Sequence, residues 1–203
     1  MKLNNLLKLK IGDNNLKKNI KRIICIMIIA ILIVLLFVGI YMLSIKRIYP
    51  KKYSEYVEKY SIENGIDPLL VYSIIKVESN FDKSATSSSN AKGLMQLMYK
   101  TAKEISEQLD IEIVEDELYD SEKNIMLGTK YYANLLKQYN NNELLALTAY
   151  NAGIGNVNEW ISNGVLNVDG SNIENVPFKE TNMYVRKIES SYKVYKKIYN
   201  SEQ

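Results

Sequence analysis

One carboxyl group in this sequence has surroundings that favour acid–base chemistry. Helical steps of three and four residues back from Glu78 lead to Ile75, Ile74 and Val71, which would form one apolar face. An acid on that face, near the C-terminal end of the helix, loses hydration and meets the negative end of the helix dipole. Both effects favour its neutral form, which a general acid requires near neutral pH. The position also suits a structural glutamate that reaches solvent or pairs with a lysine.

The helix that carries Glu78 has clear signals at both ends. Asp67 and Pro68 are typical of a helix start, with aspartate as the N-cap and proline in the first turn. The helix is expected to run to about Asn80. Because Glu78 then falls in the last turn, its carboxyl would be held at the end of a rigid element.

Helical signals dominate the rest of the chain after residue 50. Further helices are predicted over 53–63, 102–109, 121–139, 143–151 and 179–200, with loops at 84–92, 110–120 and 163–176. The stretch 155–162 carries the only tryptophan, Trp160. A capping-box pattern at Thr101 starts the second of these helices, Asp120 or Ser121 caps the third, and Asn142 caps the fourth. No segment alternates as a strand does. The sequence therefore predicts an all-α domain from about Tyr53.

The composition excludes several kinds of site. The 203 residues contain no histidine, which excludes histidine catalysis, and the single cysteine, Cys25, allows no intrachain disulfide and no cysteine zinc cluster. From Tyr53 onward there are 15 basic and 22 acidic residues, a net charge of −7, although the whole chain carries +3. Nucleic acid is therefore not an expected partner.

Residues 23–45 form an uncharged and almost entirely aliphatic run. A helix of 23 residues reaches about 34 Å, enough to cross a bilayer core of roughly 30 Å. A cleaved signal peptide usually has an apolar core of about 7–15 residues and a small-residue cleavage site. This run is longer and ends at Lys46 without an Ala-x-Ala pattern, so a permanent membrane anchor is expected.

The charges beside the apolar run predict its orientation. Seven basic residues precede the run and four follow it closely, which favours an N-terminus inside the cell. The predicted organisation is therefore a basic cytoplasmic tail over 1–22, a transmembrane anchor over 23–45 and an extracellular domain over 46–203.

Three further stretches place polar residues, and in two of them a tyrosine, at predicted turns or helix ends. Gly93-Leu94-Met95-Gln96 follows a serine-rich loop, Ala149-Tyr150-Asn151-Ala152-Gly153 ends a helix, and Glu180-Thr181-x-x-Tyr184-Val185 opens the last helix. Taken singly, each is explained by an ordinary turn, helix end or helix start.

Together with Glu78-Ser79, and in this order, these stretches resemble the catalytic domain of the soluble-type lytic transglycosylases, whose fold is similar to goose-type lysozyme. The resemblance covers about residues 56–199. It implies a lysozyme-like helical domain that acts on the glycan strands of peptidoglycan in the bacterial cell wall and needs no metal or cofactor.

The resemblance also implies roles for particular residues. Glu78 would be the single catalytic acid and base. The residues implied for substrate binding, or for framing the same site, are Ser87, Met95, Gln96, Tyr150, Asn151, Glu180 and Tyr184. Ser87 would hydrogen-bond the Glu78 carboxyl, and Met95 and Gln96 would contact the sugar.

The sequence departs from the family pattern at three places. Asn90 stands where the family usually has glycine, and asparagine is the residue other than glycine that best tolerates a positive φ. Tyr99 and Ser121 stand where proline is frequent. These changes affect a turn and two helix starts, and they leave the implied catalytic groups in place.

The family chemistry needs one carboxyl because the substrate supplies the nucleophile. Glu78 would protonate the glycosidic oxygen between N-acetylmuramic acid and N-acetylglucosamine, and the muramic 6-hydroxyl would then attack its own anomeric carbon. Ordinary glycosidases use two carboxylates, and no second acid is evident beside Glu78 in the sequence. Two alternatives stay open: a lysozyme-like hydrolase that uses water, and an inactive peptidoglycan-binding module.

Overall fold

The computed structural model describes the backbone of residues 2–199 and the side chains of residues 18–199. The chain divides into two compact units between Pro50 and Lys51. The first unit is one helix, α1 (Lys2–Ile48). The predicted tail over 1–22 therefore has described side chains only from Lys18 onward.

The apolar part of α1 is long enough to cross a membrane. Among the described residues, only the helical stretch Lys18–Ile48 is long and apolar enough to span a bilayer. The most apolar 18 residues of this stretch are not buried against any other part of the described chain. A signal sequence near the N-terminus passes the same test. The N-terminal apolar helix is thus an anchor or a signal.

The second unit is built from helices, so the predicted all-α fold is confirmed. Its α-helices are α2 (Ser54–Glu63), α3 (Pro68–Ser79), α4 (Tyr99–Gln108), α5 (Ser121–Gln138), α6 (Glu143–Ala152), α7 (Ile154–Ser162) and α8 (Lys179–Tyr199). Two 3₁₀ helices, Glu115–Tyr119 and Ile173–Asn175, lie in stretches that the sequence predicted as loops. Leu118, in the first of these, is fully buried, which explains why an otherwise acidic stretch is ordered.

The central helix of the second unit is α3, which packs mainly against α8. Its start is as predicted, because the Asp67 carboxylate accepts the Leu69 N–H at 2.8 Å and Pro68 occupies the first turn. Asn80 ends the helix in a left-handed conformation, with φ of 49°. The face predicted to be apolar, including Val71 and Ile75, is fully buried.

The predicted caps of α5 and α6 are also confirmed. Asp120 accepts the Lys123 N–H at 2.9 Å, and Asn142 accepts the Leu145 N–H at 3.0 Å. These caps were predictable because each acts within three residues of the chain.

The capping box predicted at Thr101 is wrong. α4 begins at Tyr99, directly after Met98 in an extended conformation, and Thr101 lies within the first turn. Ala102 and Ile105 of this helix pack in one cluster with Leu97. The helix thus begins three residues before the predicted start at Ala102, without a side-chain cap and with its first turns packed on that cluster.

Candidate active site

A groove of about 440 Å³ opens beside the C-terminal end of α3. Its walls come from the end of α3, the serine loop (residues 84–92), the end of α6 and the start of α8. Six of the residues singled out in the sequence line it: Glu78, Ser87, Gln96, Tyr150, Asn151 and Glu180. The fold thus brings together residues from four distant stretches of the chain.

Glu78 lies in the last turn of α3 and is only partly exposed to the groove. The Tyr184 hydroxyl donates a hydrogen bond to its Oε1 at 2.7 Å. Burial raises the pKa of Glu78 to about 7, although the hydrogen bond from Tyr184 acts in the opposite direction. At neutral pH the carboxyl is therefore poised between its acid and its base form.

Two tyrosines flank this carboxyl. Tyr184 is 6% exposed, and the Tyr150 hydroxyl donates to the main-chain oxygen of Met95 at 2.8 Å. Burial raises the pKa of both phenols well above its usual value, and the nearby Glu78 charge raises it further. Both tyrosines therefore stay protonated at neutral pH and act as hydrogen-bond donors.

Two tyrosines of α5 pack against the ring of Tyr150. The ring of Tyr150 lies 5.2 Å from that of Tyr131 and 6.2 Å, edge-on, from that of Tyr132, measured between centroids. This aromatic packing holds the groove wall in place.

The turn 93–97 brings Gln96 to the groove through two unusual backbone conformations. Gly93 has φ of 77°, and a Cβ there would lie 2.2 Å from the main-chain oxygen of Leu118, so the position requires glycine. Gln96 has φ of 49°, and its amide donates to the oxygens of Gly93 at 2.8 Å and Ala85 at 3.1 Å. The Gln96 side chain thus ties the turn to the serine loop at the edge of the groove.

Met95 occupies a different place from the one that the resemblance implied. Its side chain is fully buried and packs against Gly128, where a Cβ would lie 2.5 Å from the Met95 sulfur. The expectation of a side-chain contact with sugar is therefore corrected to packing. Its main chain still matters, because its carbonyl holds the Tyr150 hydroxyl.

Ser87 lies in the groove wall and is exposed. Its Oγ accepts the Ala91 N–H at 3.0 Å, which closes a tight turn. A serine hydroxyl can accept and donate at once, so the hydrogen bond from Ser87 to Glu78 stays a prediction.

Asn124 is a structural residue of the site that the sequence reasoning missed. It is fully buried in α5, accepts the Met95 N–H at 2.7 Å, and donates to the oxygens of Leu118 at 2.8 Å and Lys92 at 3.0 Å. The available signal was its spacing, since it stands three and four residues before Leu127 and Gly128, which lie on the buried face of α5. A buried polar side chain needs hydrogen-bond partners. Here the partners are main-chain groups, and one of them, the Met95 N–H, belongs to the turn 93–97.

Two other hydrogen bonds hold helix ends at the groove. The Ser79 hydroxyl, next to Glu78, donates to the main-chain oxygen of Leu94 at 2.8 Å. Thr181 of α8 donates to Asn151 of α6 at 2.7 Å. The first bond fixes the end of α3 to the turn 93–97, and the second joins the end of α6 to the start of α8.

Apolar surface also lines the groove, which the sequence did not reveal. Phe178 is 47% exposed and Met98 44% exposed, and both line it. The Phe178 ring stands edge-on to Trp160 with centroids 4.9 Å apart. Exposed apolar side chains in a groove are typical of a ligand-binding surface.

The carboxylates near Glu78 in sequence or in space have other partners or positions. Asp82 is exposed, and hydrogen bonds from Ser84 lower its pKa. Glu180 lines the groove but is exposed. Among residues 18–199, no group of three or more acidic, histidine or cysteine side chains is arranged to hold a metal ion.

A family description, "Transglycosylase SLT domain", matches residues 55–165, more than half of the chain. The chain belongs to this family. The resemblance seen in the four ordered stretches is thereby confirmed, and the helical domain has the lysozyme-like fold of lytic transglycosylases.

Individual relatives agree with the family assignment. The putative soluble lytic murein transglycosylase of Haemophilus influenzae is 35% identical over 156 residues, which cover 75% of this chain and 26% of the relative. The membrane-bound lytic murein transglycosylase C of Edwardsiella ictaluri is 31% identical over 174 residues, covering 72% of this chain and 47% of the relative. This SLT chain thus matches only a part of each relative.

A solved structure shows the same fold. The 70 kDa soluble lytic transglycosylase SLT70 of Escherichia coli superposes with a TM-score of 0.69 at 29% identity, covering 75% of this chain and 25% of that chain. The SLT domain described here therefore spans about a quarter of that larger enzyme.

Proposed function

We propose that this SLT domain is a lytic transglycosylase of peptidoglycan. It cleaves the β-1,4 bond between N-acetylmuramic acid and N-acetylglucosamine and leaves 1,6-anhydromuramic ends. The observation that carries the proposal is Glu78, a desolvated carboxyl with a pKa of about 7 that meets the Tyr184 hydroxyl in an open groove. The names of the relatives, which are murein transglycosylases, support this substrate.

In the first step Glu78 acts as a general acid. A carboxyl with a pKa near neutrality holds its proton in a large fraction of molecules and still releases it readily. Protonated Glu78 donates that proton to the glycosidic oxygen, and the bond from this oxygen to the muramic anomeric carbon breaks. The Tyr184 hydrogen bond stabilises the carboxylate that results.

In the second step the same carboxylate acts as a base. Glu78 takes the proton of the muramic 6-hydroxyl, whose oxygen attacks the anomeric carbon and closes the anhydro ring. The substrate's own acetamido group can stabilise the positive charge on that carbon until the ring closes. Atoms balance without water, Glu78 regains its proton, and the attack gains from the high effective molarity of an intramolecular group.

The surroundings of Glu78 suit a mechanism with one carboxyl. Hydrolases of glycosides generally place a second carboxylate about 5–9 Å from the acid to act as nucleophile or to activate water. Asp82 is instead exposed and bound to Ser84. Glu180, at the start of α8, is assigned to substrate binding.

The remaining groove residues bind and orient the glycan strand. Ser87, Gln96 and Asn151 present hydroxyl and amide groups at the groove surface. Tyr150 supports the wall beside the acid, and Met95 holds Tyr150 from the core.

We also propose that α1 is a permanent anchor. Residues 23–45 would span the membrane, with 1–22 in the cytoplasm and the catalytic domain outside. The excess of basic residues before the span supports this orientation, and a relative named as membrane-bound is compatible with it. The catalytic domain would then act on wall close to the membrane.

The deciding experiment weighs the products. The detergent-solubilised full-length chain is incubated with purified peptidoglycan, and soluble fragments are analysed by mass spectrometry without prior reduction. Muramic ends lighter by one water than reducing ends are expected to predominate. Mostly reducing muramic ends would instead identify a hydrolase, and no release by wild type, with binding retained, would identify a binding module. The Glu78→Gln variant is the control for contaminating activity.

A further inference from the structure

One face of the serine loop lines the groove, and the other face contacts a neighbouring 3₁₀ helix. Its residues Ser87, Ser88, Ser89 and Ala91 line the groove. Three of its other residues, Thr86, Asn90 and Lys92, make side-chain contacts with the 3₁₀ helix Glu115–Tyr119. The loop therefore lies between the groove on one side and the 3₁₀ helix Glu115–Tyr119 on the other.

The support consists of two residues. Glu115 Oε1 accepts a hydrogen bond from the Asn90 amide at 2.8 Å and lies 2.9 Å from the Lys92 ammonium group. The Tyr119 hydroxyl shares a hydrogen bond of 2.7 Å with Thr86, and the Lys92 nitrogen lies 5.4 Å from the centroid of the Tyr119 ring. Both ends of the loop are thus held from the same short helix.

Asn90 gives the loop a contact that glycine could not make. Its φ of 64° is the backbone conformation that a glycine would adopt freely. Asparagine tolerates the conformation and adds an amide, which glycine lacks, to bind Glu115. The family departure at this position therefore adds a contact to the loop.

The 3₁₀ helix is itself firmly held. Leu118 is fully buried, and its main-chain oxygen accepts the amide of Asn124 from α5 at 2.8 Å. Glu117 accepts the Val114 N–H at 3.0 Å and also pairs with Lys123 of α5. Helix α5 therefore holds the 3₁₀ helix in place, and the 3₁₀ helix in turn holds the serine loop.

We infer that Glu115 and Tyr119 are positioning residues that hold the serine-loop wall of the groove ready for the glycan strand. The inference rests on the proposed function for the identity of the ligand. A wall of exposed residues that is ordered beforehand loses less conformational freedom when a ligand binds. Removing the support is therefore expected to weaken binding more than it slows the chemical step.

The test compares kinetic constants of the detergent-solubilised full-length chain on soluble peptidoglycan strands. Glu115→Ala removes the acceptor for Asn90 and Lys92, and KM is expected to rise about threefold to fivefold while kcat changes by less than about twofold. Glu115→Gln keeps a side-chain oxygen and is expected to recover part of the loss. Glu112→Gln removes a nearby exposed carboxylate and serves as the matched control, with wild-type constants expected.

A second measurement is independent of activity. Hydrogen exchange of the peptide covering 84–92 is expected to become faster in Glu115→Ala and in Tyr119→Phe, with exchange in α3 unchanged. Lys92→Met is expected to add less to the effect of Glu115→Ala than it adds to wild type, because the Lys92–Glu115 contact is already absent and only the contact with the Tyr119 ring is left to lose.

The outcomes separate this inference from the proposed function. If the wild type releases no fragments, the proposed function fails. Hydrogen exchange of the peptide 84–92 still shows whether Glu115 and Tyr119 hold the serine loop. Unchanged loop exchange in Glu115→Ala overturns the inference, as does a loss confined to kcat. Faster exchange throughout the domain also overturns it, since Glu115 would then be a general stability residue.

Discussion

Two hydrogen bonds between a tyrosine and a carboxylate join α3 to α8, one at each end of α3. At the C-terminal end Tyr184 donates to Glu78 at 2.7 Å, and at the N-terminal end Tyr192 donates to Asp67 at 2.5 Å. A cavity lies at each end, of about 440 Å³ beside Glu78 and about 460 Å³ beside Tyr192. Neither the hydrogen bond nor the size of the cavity distinguishes the two ends.

Hydration and the helix dipole do distinguish them. Asp67 is exposed and caps the positive N-terminal end of α3, where its carboxylate accepts the Leu69 N–H. Glu78 is largely withdrawn from water at the negative end of the same helix, and burial raises its pKa to about 7. The same pair of chemical groups thus makes a structural cap at one end and a candidate proton donor at the other.

The largest expected difference between the two ends is in activity. Glu78→Gln removes the acid and is expected to lower the rate of fragment release from purified peptidoglycan by about 10²- to 10⁴-fold. Asp67→Asn, the matched amide substitution at the other end, keeps a good N-cap and is expected to leave the rate unchanged. A Glu78→Gln variant with near wild-type activity would remove Glu78 from the mechanism.

A second expected difference is in how stability depends on pH. The folded-state pKa of Glu78, about 7, lies above its ordinary value of 4.5, so the folded protein holds an extra proton between these values. The free energy of unfolding should therefore fall as pH rises through that window, by up to about 3 kcal/mol. Urea unfolding of wild type and Glu78→Gln at several pH values measures this, and equal pH slopes for the two proteins would contradict it.

At the other end of α3 the expected effect is on stability alone. Asp67→Ala removes the N-cap and the Tyr192 contact, and should lower the free energy of unfolding by about 1 kcal/mol. Fragment release at a temperature where the variant is folded should match wild type. A large loss of kcat in the folded variant would show that the two ends are coupled.

The smallest expected effect is a displacement of the pH profile. Wild-type kcat/KM should fall as pH rises through about 7, because the free enzyme needs protonated Glu78. The Tyr184 hydrogen bond lowers the Glu78 pKa, so Tyr184→Phe should move this fall to higher pH. Tyr192→Phe removes the corresponding hydroxyl at the other end and should leave the profile in place. A fall that stays at the wild-type pH in Tyr184→Phe would mean that another group controls it.

The features that were predictable from the sequence are those that act within a few residues. The caps at Asp67, Asp120 and Asn142 were predicted correctly because each side chain binds a main-chain N–H two or three residues away. The buried face of α3 was predictable from its helical spacing. The start of α4 was not, since Thr101 has the local pattern of a cap and the packing of Ala102 and Ile105 goes with an earlier start.

By itself the sequence determined the chemical inventory and the local frame: no histidine, one glutamate on an apolar helix face, and the ends of most helices. Only the tertiary structure decided which side chains meet. Tyr184 reaches Glu78 across 106 residues of chain, Met95 turns into the core, and Asn124 holds the groove turn from α5. The reason is physical, because desolvation and long-range hydrogen bonds depend on how helices pack, and helical periodicity carries no information about which helices become neighbours.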